Sequence, residues 1–411
     1  MPVLWCNTRG AQGTNGGSPT GPESKADVDM FSTQEARDGY DVIEWIAAQN
    51  WSTGKVGQIG SSYGGIMSLA VAGQMPPHLA ASIPVMGVRD QYQWAYPGGI
   101  QDVRGGSTLP VIANCSSAAG EPTCSARMTA AFTSHPNFDD YWAARAVDVA
   151  SIKVPMLFVQ GLQDFMMAYY DNRNAVIGDR SNVATVIGPW PHSVPEQTSP
   201  ELKNVYLAWF DRWVADMPNV PETPKVALKG LQGQDWDGFA AWPPKSSEPK
   251  TFYLTNSGLE QNAPSAGTLQ YAIDTSGNTT GLTLATTFSS ATTLAGPVEI
   301  SLPLSFTASD ANVIANIYAR RNGEQINLGW AAYKKASHLE SDAGPSPRVP
   351  GRTYLYKISV PSKFYAFQPG DSMVLSVVSS DKIVASDSPA GTVTVTLGKD
   401  AYVRAPMVVA R

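Results

Sequence analysis

Gly60-Ser61-Ser62-Tyr63-Gly64 sets a serine between two glycines, and the segments on either side give it a chemical use. Upstream, Lys55-Val56-Gly57-Gln58-Ile59 is a short apolar run of strand type. Downstream, Gly65-Ile66-Met67-Ser68-Leu69-Ala70-Val71-Ala72 is helix-forming and stops before Pro76-Pro77. A serine at a sharp strand-to-helix turn is forced out above the sheet, where its hydroxyl can attack a carbonyl carbon. The flanking glycines relieve a bend that has no room for a Cβ. Ser62 is the candidate nucleophile. A chain rich in Gly and Ser produces such a pentapeptide by accident, so the strand and helix around it carry the argument.

A serine hydroxyl is a weak nucleophile until a base takes its proton, and that base is usually a histidine oriented by a carboxylate. The chain has four histidines, His78, His135, His192 and His338. His78 closes the helix after the elbow and reads as a helix terminus. His135 stands in the loop Ser134-His135-Pro136, and His338 falls in a late β-rich region. His192 follows the strand-like run Ala184-Thr185-Val186-Ile187 and the loop Gly188-Pro189-Trp190-Pro191, past a strand's carboxyl end. Active sites of open sheets built from alternating strands and helices lie at that edge. A lone histidine is more often structural; position and the shortage of rivals single out His192 as the base. The acid is found in the same way. Val154-Pro155-Met156-Leu157-Phe158-Val159-Gln160 reads as a buried parallel strand, and Gly161-Leu162-Gln163-Asp164 sets Asp164 at its carboxyl end. Asp171 falls inside what reads as the next helix. The chain order Ser62, Asp164, His192 is the one used by α/β-hydrolases.

These three side chains need a sheet to hold them, and the chain is long enough for two or three domains at 411 residues. To about residue 88 strands and helices alternate, with a helix at roughly 33–48 opened by the capping-box pattern Ser32-Thr33-Gln34-Glu35. Residues 89–150 break the alternation, are rich in Gly, Ser, Trp and Tyr, and read as a small helical cap over the site. Trp94, Tyr96, Trp142 and Trp190 are candidates for a substrate pocket, with cap core as the plainer reading of the cap residues among them. Alternation resumes from 154 to 216 and ends in a helix with Leu202, Val205, Tyr206, Trp209 and Trp213 on one face. After Pro218 the period changes to two: Val298, Ile300, Leu302, Leu304 and Phe306 alternate with polar or small residues, as do Val393, Val395 and Leu397. The expected division is a catalytic domain at 1–88 and 151–218, a cap at 89–150, and an all-β sandwich at 219–411.

A net charge of −6 without basic runs argues against nucleic acid or an anionic membrane as partner. No apolar run approaches bilayer-spanning length. Spacings for a metal site or a dinucleotide loop are absent, Gly13 to Gly17 included, so neither metal nor cofactor is expected. Cys115 and Cys124 flank a small loop and either pair as a disulfide, which would suit a secreted protein, or stay as thiols. Cys6 reads as strand core. Soluble extracellular and cytoplasmic locations both stay open, as does a homo-oligomer.

Further stretches carry a resemblance. They are Asn7-Thr8-Arg9-Gly10 with Gly16-Gly17; Asp38-Gly39-Tyr40-Asp41, Glu44-Trp45-Ile46 and Trp51 ahead of Gly54-Lys55-Val56-Gly57; Tyr96-Pro97-Gly98-Gly99; Asp140-Tyr141-Trp142; and the acid and base segments above. Together with the elbow they resemble the family of X-prolyl dipeptidyl-peptidases and cocaine-esterase-like (CocE/NonD) hydrolases, with α-amino-acid ester hydrolases as relatives. Asn7 stands where that family has Asp. The resemblance implies an α/β-hydrolase domain with a helical cap, followed by a jelly roll of galactose-binding type. It also implies hydrolysis of small ester, amide or peptide substrates through an acyl-enzyme on Ser62, with His192 as base, Asp164 as orienter and the Tyr63 backbone N–H as oxyanion donor. Such a donor is worth about 3 kcal/mol. The family's second donor is a tyrosine hydroxyl on a segment that would precede residue 1. The catalytic domain is therefore expected to be N-terminally incomplete, or else the strand at residues 2–6 pairs directly with the elbow strand. Glu35, Asp90 and Asp102 are loose candidates for holding a substrate α-ammonium. The rival reading is an impaired homologue whose β-sandwich serves as a binding module.

Overall fold

The computed structural model describes residues 2–4, 6, 29–103, 124–165, 180–192, 195–233, 235–275, 277, 280–385 and 387–409, with backbone only at 124–128 and 409. The apolar runs of the first half become parallel strands. These are β1 (Val56–Ser61), β2 (Leu79–Val85), β3 (Met156–Gly161) and β4 (Val183–Gly188), and every residue of β3 and β4 is buried. Burial on both faces is what a parallel sheet requires, and it explains why these strands read as continuous hydrophobic runs. Helix α1 (Thr33–Ala47) starts at the expected cap, with the Ser32 hydroxyl accepting the Glu35 N–H at 3.3 Å. Helix α2 (Tyr63–Gly73) follows β1 without a loop.

Between β2 and β3 lie α3 (Gln91–Ala95), α4 (Cys124–Ser134) and α5 (Asp140–Ala143). They enclose an aromatic cluster of Phe31, Tyr92, Trp94, Tyr96, Phe132 and Trp142. After β4, helix α6 (Leu202–Trp213) buries Leu202, Tyr206 and Trp209 against the sheet.

Two elements differ from expectation. The sheet does not end before Pro218: β5 (Val226–Leu228) pairs parallel to β4, and β6 (Asp237–Phe239) pairs antiparallel to β5. Its order is β1-β2-β3-β4-β5-β6. Three-residue strands are too short to show a period, so only the tertiary ladder reveals them. The run Pro2–Cys6 was expected to be a buried strand. Instead Pro2, Val3, Leu4 and Cys6 lie outside any strand, with Val3 78% and Leu4 50% exposed and Cys6 an exposed free thiol. A strand needs a ladder partner for its backbone groups, and among the described residues β1 pairs with β2 alone.

The second half is all-β. Its strands are β7 (Glu248–Leu254), β8 (Leu259–Glu260), β9 (Thr268–Ala272), β10 (Gly281–Thr287), β11 (Thr292–Phe306), β12 (Asn312–Arg321) and β13 (Glu324–Asn327). Then come β14 (Ala332–Lys335), β15 (Tyr354–Phe367), β16 (Ser372–Val378), β17 (Thr392–Thr396) and β18 (Tyr402–Val409). One sheet runs β8-β7-β18-β11-β17-β9 with β15 beside β11; the other runs β10-β16-β12-β13 with β14 beside β12. Val298, Ile300, Leu302, Leu304 and Phe306 of β11 share one core with Val313, Ala315 and Ile317 of β12, which is the inward half of the alternation. The two halves are not separate bodies: Ala295 and Phe364 of the sandwich share a core cluster with Val226 and Leu228.

Candidate active site

Ser62 sits between β1 and α2 with φ 56° and ψ −115°. A positive φ on a residue with a Cβ costs of order 1–3 kcal/mol and persists only where the surroundings enforce it. Here the Ser62 N–H donates to the Val85 carbonyl at 2.9 Å, and its own carbonyl accepts the Ile66 N–H at 2.9 Å. The bend is tight on one side. A Cβ on Gly60 would stand 2.3 Å from the Gly64 carbonyl oxygen, and one on Gly65 would stand 2.3 Å from the Val85 oxygen. A Cβ on Gly64 would meet nothing within 4 Å. The constrained pair is therefore Gly60 and Gly65, and Gly64 at the end of the pentapeptide is not constrained.

The Ser62 hydroxyl donates to His192 Nε2 at 2.7 Å, and His192 Nδ1–H donates to Asp164 Oδ1 at 3.0 Å. Asp164 is fully buried, whereas the His192 side chain is 24% exposed. The acid thus sits in a low-dielectric setting while the base stays open to a substrate. Their two loops are bonded together: Leu162 N–H donates to Gly188 O at 2.8 Å and Gln163 N–H to Trp190 O at 3.1 Å. The three candidates, drawn from the ends of β1, β3 and β4, converge at one sheet edge.

The other histidines are engaged elsewhere. His78 Nδ1 pairs with Glu44 at 2.7 Å, and His135 Nδ1 pairs with Asp139 at 2.6 Å. His338, buried in the sandwich, meets Asn137 at 3.0 Å. The candidate pocket aromatics are buried, which for Trp94, Tyr96 and Trp142 is the cap-core reading. Trp142 is fully buried and donates to the His135 carbonyl, and Tyr96 donates to the Phe132 carbonyl. Trp190 packs under the sheet edge and donates to Ser199, and Trp94 meets Phe31 and Phe132 edge-on. All four are buried among other core side chains, and the polar tips of Trp142, Tyr96 and Trp190 are satisfied internally.

Glu35, one of the loose carboxylate candidates, is bonded to the residue after the nucleophile. Its carboxylate accepts the Tyr63 hydroxyl at 2.6 and 2.8 Å and the Phe31 N–H at 2.7 Å. Burial pushes its pKa up from 4.5 to about 7, against those donors, which favour the charged form. Asp90 caps α3 through the Tyr92 N–H at 3.0 Å, and burial pushes its carboxyl up as well. Asp102 is buried in a β-bridge with Val384. Two neighbours of the site escaped the sequence reading. The Phe165 ring lies 4.6 Å from the His192 ring, and Trp330 of the sandwich lies 5.8 Å from Phe165. Phe165 was legible as the residue after the acid; nothing in the sequence ties Trp330 to it. The Cys115–Cys124 pairing, Asp171 and Asn7–Gly10 lie outside the described residues, as do the side chain of Cys124 and the glycines at 13–17. Among the described residues no group of His, Cys, Asp or Glu is arranged to hold a metal ion, and no helix is long and apolar enough to cross a membrane.

A strained serine, a histidine and a buried aspartate thus meet at one sheet edge, with an all-β domain packed behind. Residues 19–194 match the family profile for X-Pro dipeptidyl-peptidase (S15 family). Residues 218–407 match the X-Pro dipeptidyl-peptidase C-terminal non-catalytic domain. The chain belongs to this family of X-Pro dipeptidyl-peptidases and cocaine esterase-like hydrolases. It is 24% identical over 290 residues to the cocaine esterase of Rhodococcus sp., covering 57% of this chain and 50% of that one. It is 22% identical over 382 residues to a putative Xaa-Pro dipeptidyl-peptidase of Bacillus anthracis, covering 84% of this chain and 62% of that one. The chain thus spans roughly half to two thirds of the length of these curated relatives. Among solved structures, a CocE/NonD family hydrolase from Staphylococcus aureus superposes with a TM-score of 0.82 at 22% identity, covering 94% of this chain and 78% of that chain. An α-amino acid ester hydrolase superposes with a TM-score of 0.73 at 19% identity, covering 95% and 82%. At such identities the likeness is one of fold, and function has to be argued from the site.

Proposed function

We propose that the chain is a serine hydrolase that cleaves ester or amide bonds, of the X-Pro dipeptidyl-peptidase or acyl-esterase type. The observation that carries this is the continuous relay from Ser62 Oγ through His192 to buried Asp164. Ser62 Oγ adds to the substrate carbonyl carbon as its proton passes to His192 Nε2. The Tyr63 backbone N–H, at the first turn of α2, donates to the oxyanion that forms. Asp164 holds His192 in the tautomer that keeps Nε2 free to accept, and stabilises the imidazolium. Nε2–H then protonates the departing alkoxide or amine, leaving an acyl ester on Ser62. A water, deprotonated by His192, releases the acid and restores the serine.

In this reading the catalytic domain is an α/β-hydrolase at 1–88 and 151–218, carrying the cap at 89–150. The jelly-roll domain occupies 219–411, with β5 and β6 completing the catalytic sheet from beyond that boundary. The substrate is a small ester, amide or peptide. The test is labelling of the purified chain with a fluorophosphonate probe, followed by mass spectrometry of the modified peptide. Labelling at Ser62, abolished in Ser62→Ala, supports the reading. A folded chain that takes no label overturns it.

A further inference from the structure

The sandwich belongs to a domain class described as non-catalytic, yet one of its loops touches the acid loop of the proposed triad. We propose that the loop 328–331 between β13 and β14 is part of the machinery that holds Asp164 in place, with Trp330 as its positioning residue. The inference rests on the Ser62–His192–Asp164 reading.

The loop is held from within its own domain at successive residues. The Asn327 side chain accepts the Gly329 N–H at 3.0 Å, and Asn316 Nδ2 donates to the Gly329 carbonyl at 3.0 Å. Lys363 Nζ donates to the Trp330 carbonyl at 2.7 Å from a side chain with no exposed surface. A buried ammonium is expensive to desolvate, so its presence under this loop marks a position on which the fold spends stability. The loop so fixed presses on the acid loop at two points. Gly329 (φ +118°) approaches so closely that a Cβ there would stand 2.3 Å from the Leu162 carbonyl oxygen. Trp330 Nε1–H donates to the Gln163 carbonyl at 2.7 Å. Leu162 and Gln163 are the two residues before Asp164. The Trp330 ring also meets Phe165 edge-on, and Phe165 leans on His192. The acid is thus flanked on both sides in sequence by groups that the sandwich holds.

A loop end is the softest place to seat a catalytic carboxylate, because loops move more than the elements they join. Displacing a catalytic group by about 1 Å can cost on the order of 10²-fold in rate. A rigid antiparallel domain behind the loop removes that freedom.

The test compares two indoles at the junction of the halves. Trp330→Phe keeps an aromatic ring and removes the N–H donor to Gln163. Trp242→Phe removes the donor that Trp242 Nε1 offers to Ser362 at 2.9 Å, a bond made within the second half of the chain and not to Gln163. With an ester substrate, Trp330→Phe is expected to lower kcat roughly 10- to 100-fold, to leave KM within about twofold, and to slow fluorophosphonate labelling by the same factor as kcat. Trp242→Phe is expected to leave kcat unchanged at a similar melting temperature. Equal, small effects of both variants on kcat would overturn the inference and reduce Trp330 to interdomain packing. If Trp330→Phe does not fold, Gly329→Ala gives the same reading: its Cβ must push the loop off Leu162, and an unchanged kcat in the folded variant overturns the inference. Ser62→Ala separates the two levels. If it retains turnover, the triad reading itself fails; if it is inert while Trp330→Phe is fully active, only the positioning role fails.

Discussion

Among the described residues, the sheet edge and the sandwich each bring together a serine, a histidine and an aspartate, and the two are wired differently. At the sheet edge the histidine stands in the middle: Ser62 donates to one ring nitrogen of His192 and Asp164 accepts from the other. In the sandwich the serine stands in the middle: the Ser337 hydroxyl donates to Asp310 at 2.8 Å and lies 3.2 Å from His338 Nδ1, while His338 Nε2 meets Asn137 at 3.0 Å. There the serine proton goes to a carboxylate with no path onward, the histidine is sealed in the junction with the cap, and no strained turn presents the hydroxyl. The first site keeps its base partly open to solvent; the second buries all but a trace of its histidine. The order of contacts and the exposure of the base, not the residue types, separate a relay from a clasp.

The largest test of that contrast is removal of the hydroxyl and the base at the sheet edge. Ser62→Ala and His192→Ala should each lower kcat by about 10⁴-fold or more with little change in melting temperature, read by ester hydrolysis and thermal unfolding. Loss of turnover on Ser337→Ala to the same degree would erase the distinction between the two clusters.

Glu35 comes next. Glu35→Ala removes the buried carboxylate that accepts from the Tyr63 hydroxyl and the Phe31 N–H. Losing hydrogen bonds to a buried carboxylate costs about 1–3 kcal/mol, so urea unfolding should report a loss of that order, with slower turnover because Tyr63 adjoins the nucleophile. The same carboxyl predicts a pH dependence. Its folded-state pKa is raised from 4.5 to about 7. Between those values the unfolded chain releases a proton that the folded chain keeps. Its contribution is therefore full below about pH 4.5 and is lost as pH rises through about 7, on the order of 3 kcal/mol in all. Glu35→Gln should flatten that slope in urea midpoints measured at pH 5 and pH 7.5.

On the other side of the comparison, His338→Ala should leave kcat unchanged while lowering stability by about 2–3 kcal/mol, since it empties a packed position against Gly99 and releases Asn137. The smallest effect is expected of Ser337→Ala: about 1 kcal/mol of stability and no change in turnover. A fall in kcat with either variant would show that the junction with the cap, and not only the sheet edge, governs the reaction.

Much of the candidate site was legible in the sequence. Ser62, Asp164 and His192 each follow a segment whose apolar pattern announces a strand, and a parallel sheet puts all its carboxyl ends on one edge. The period-two pattern of β11 likewise announced the sandwich, because one face must be buried and the other not. The role of the pocket aromatics was left open for a related reason. Composition says that Trp94, Tyr96, Trp142 and Trp190 are large and apolar, but not whether a ring faces substrate or another ring.

What the sequence alone determined, then, is everything set by local pattern: the strand before the elbow, the helix after it, the capped start of α1 and the alternation of the sandwich strands. Only the tertiary structure decided which glycines the elbow cannot lose, that β5 and β6 extend the first sheet, that Glu35 ties α1 to Tyr63, and that Trp330 reaches Gln163 from 167 residues away. The first group depends on neighbours within a few residues, whose spacing the chain carries in itself. The second depends on close approaches between distant segments, which exist only once both cores have closed.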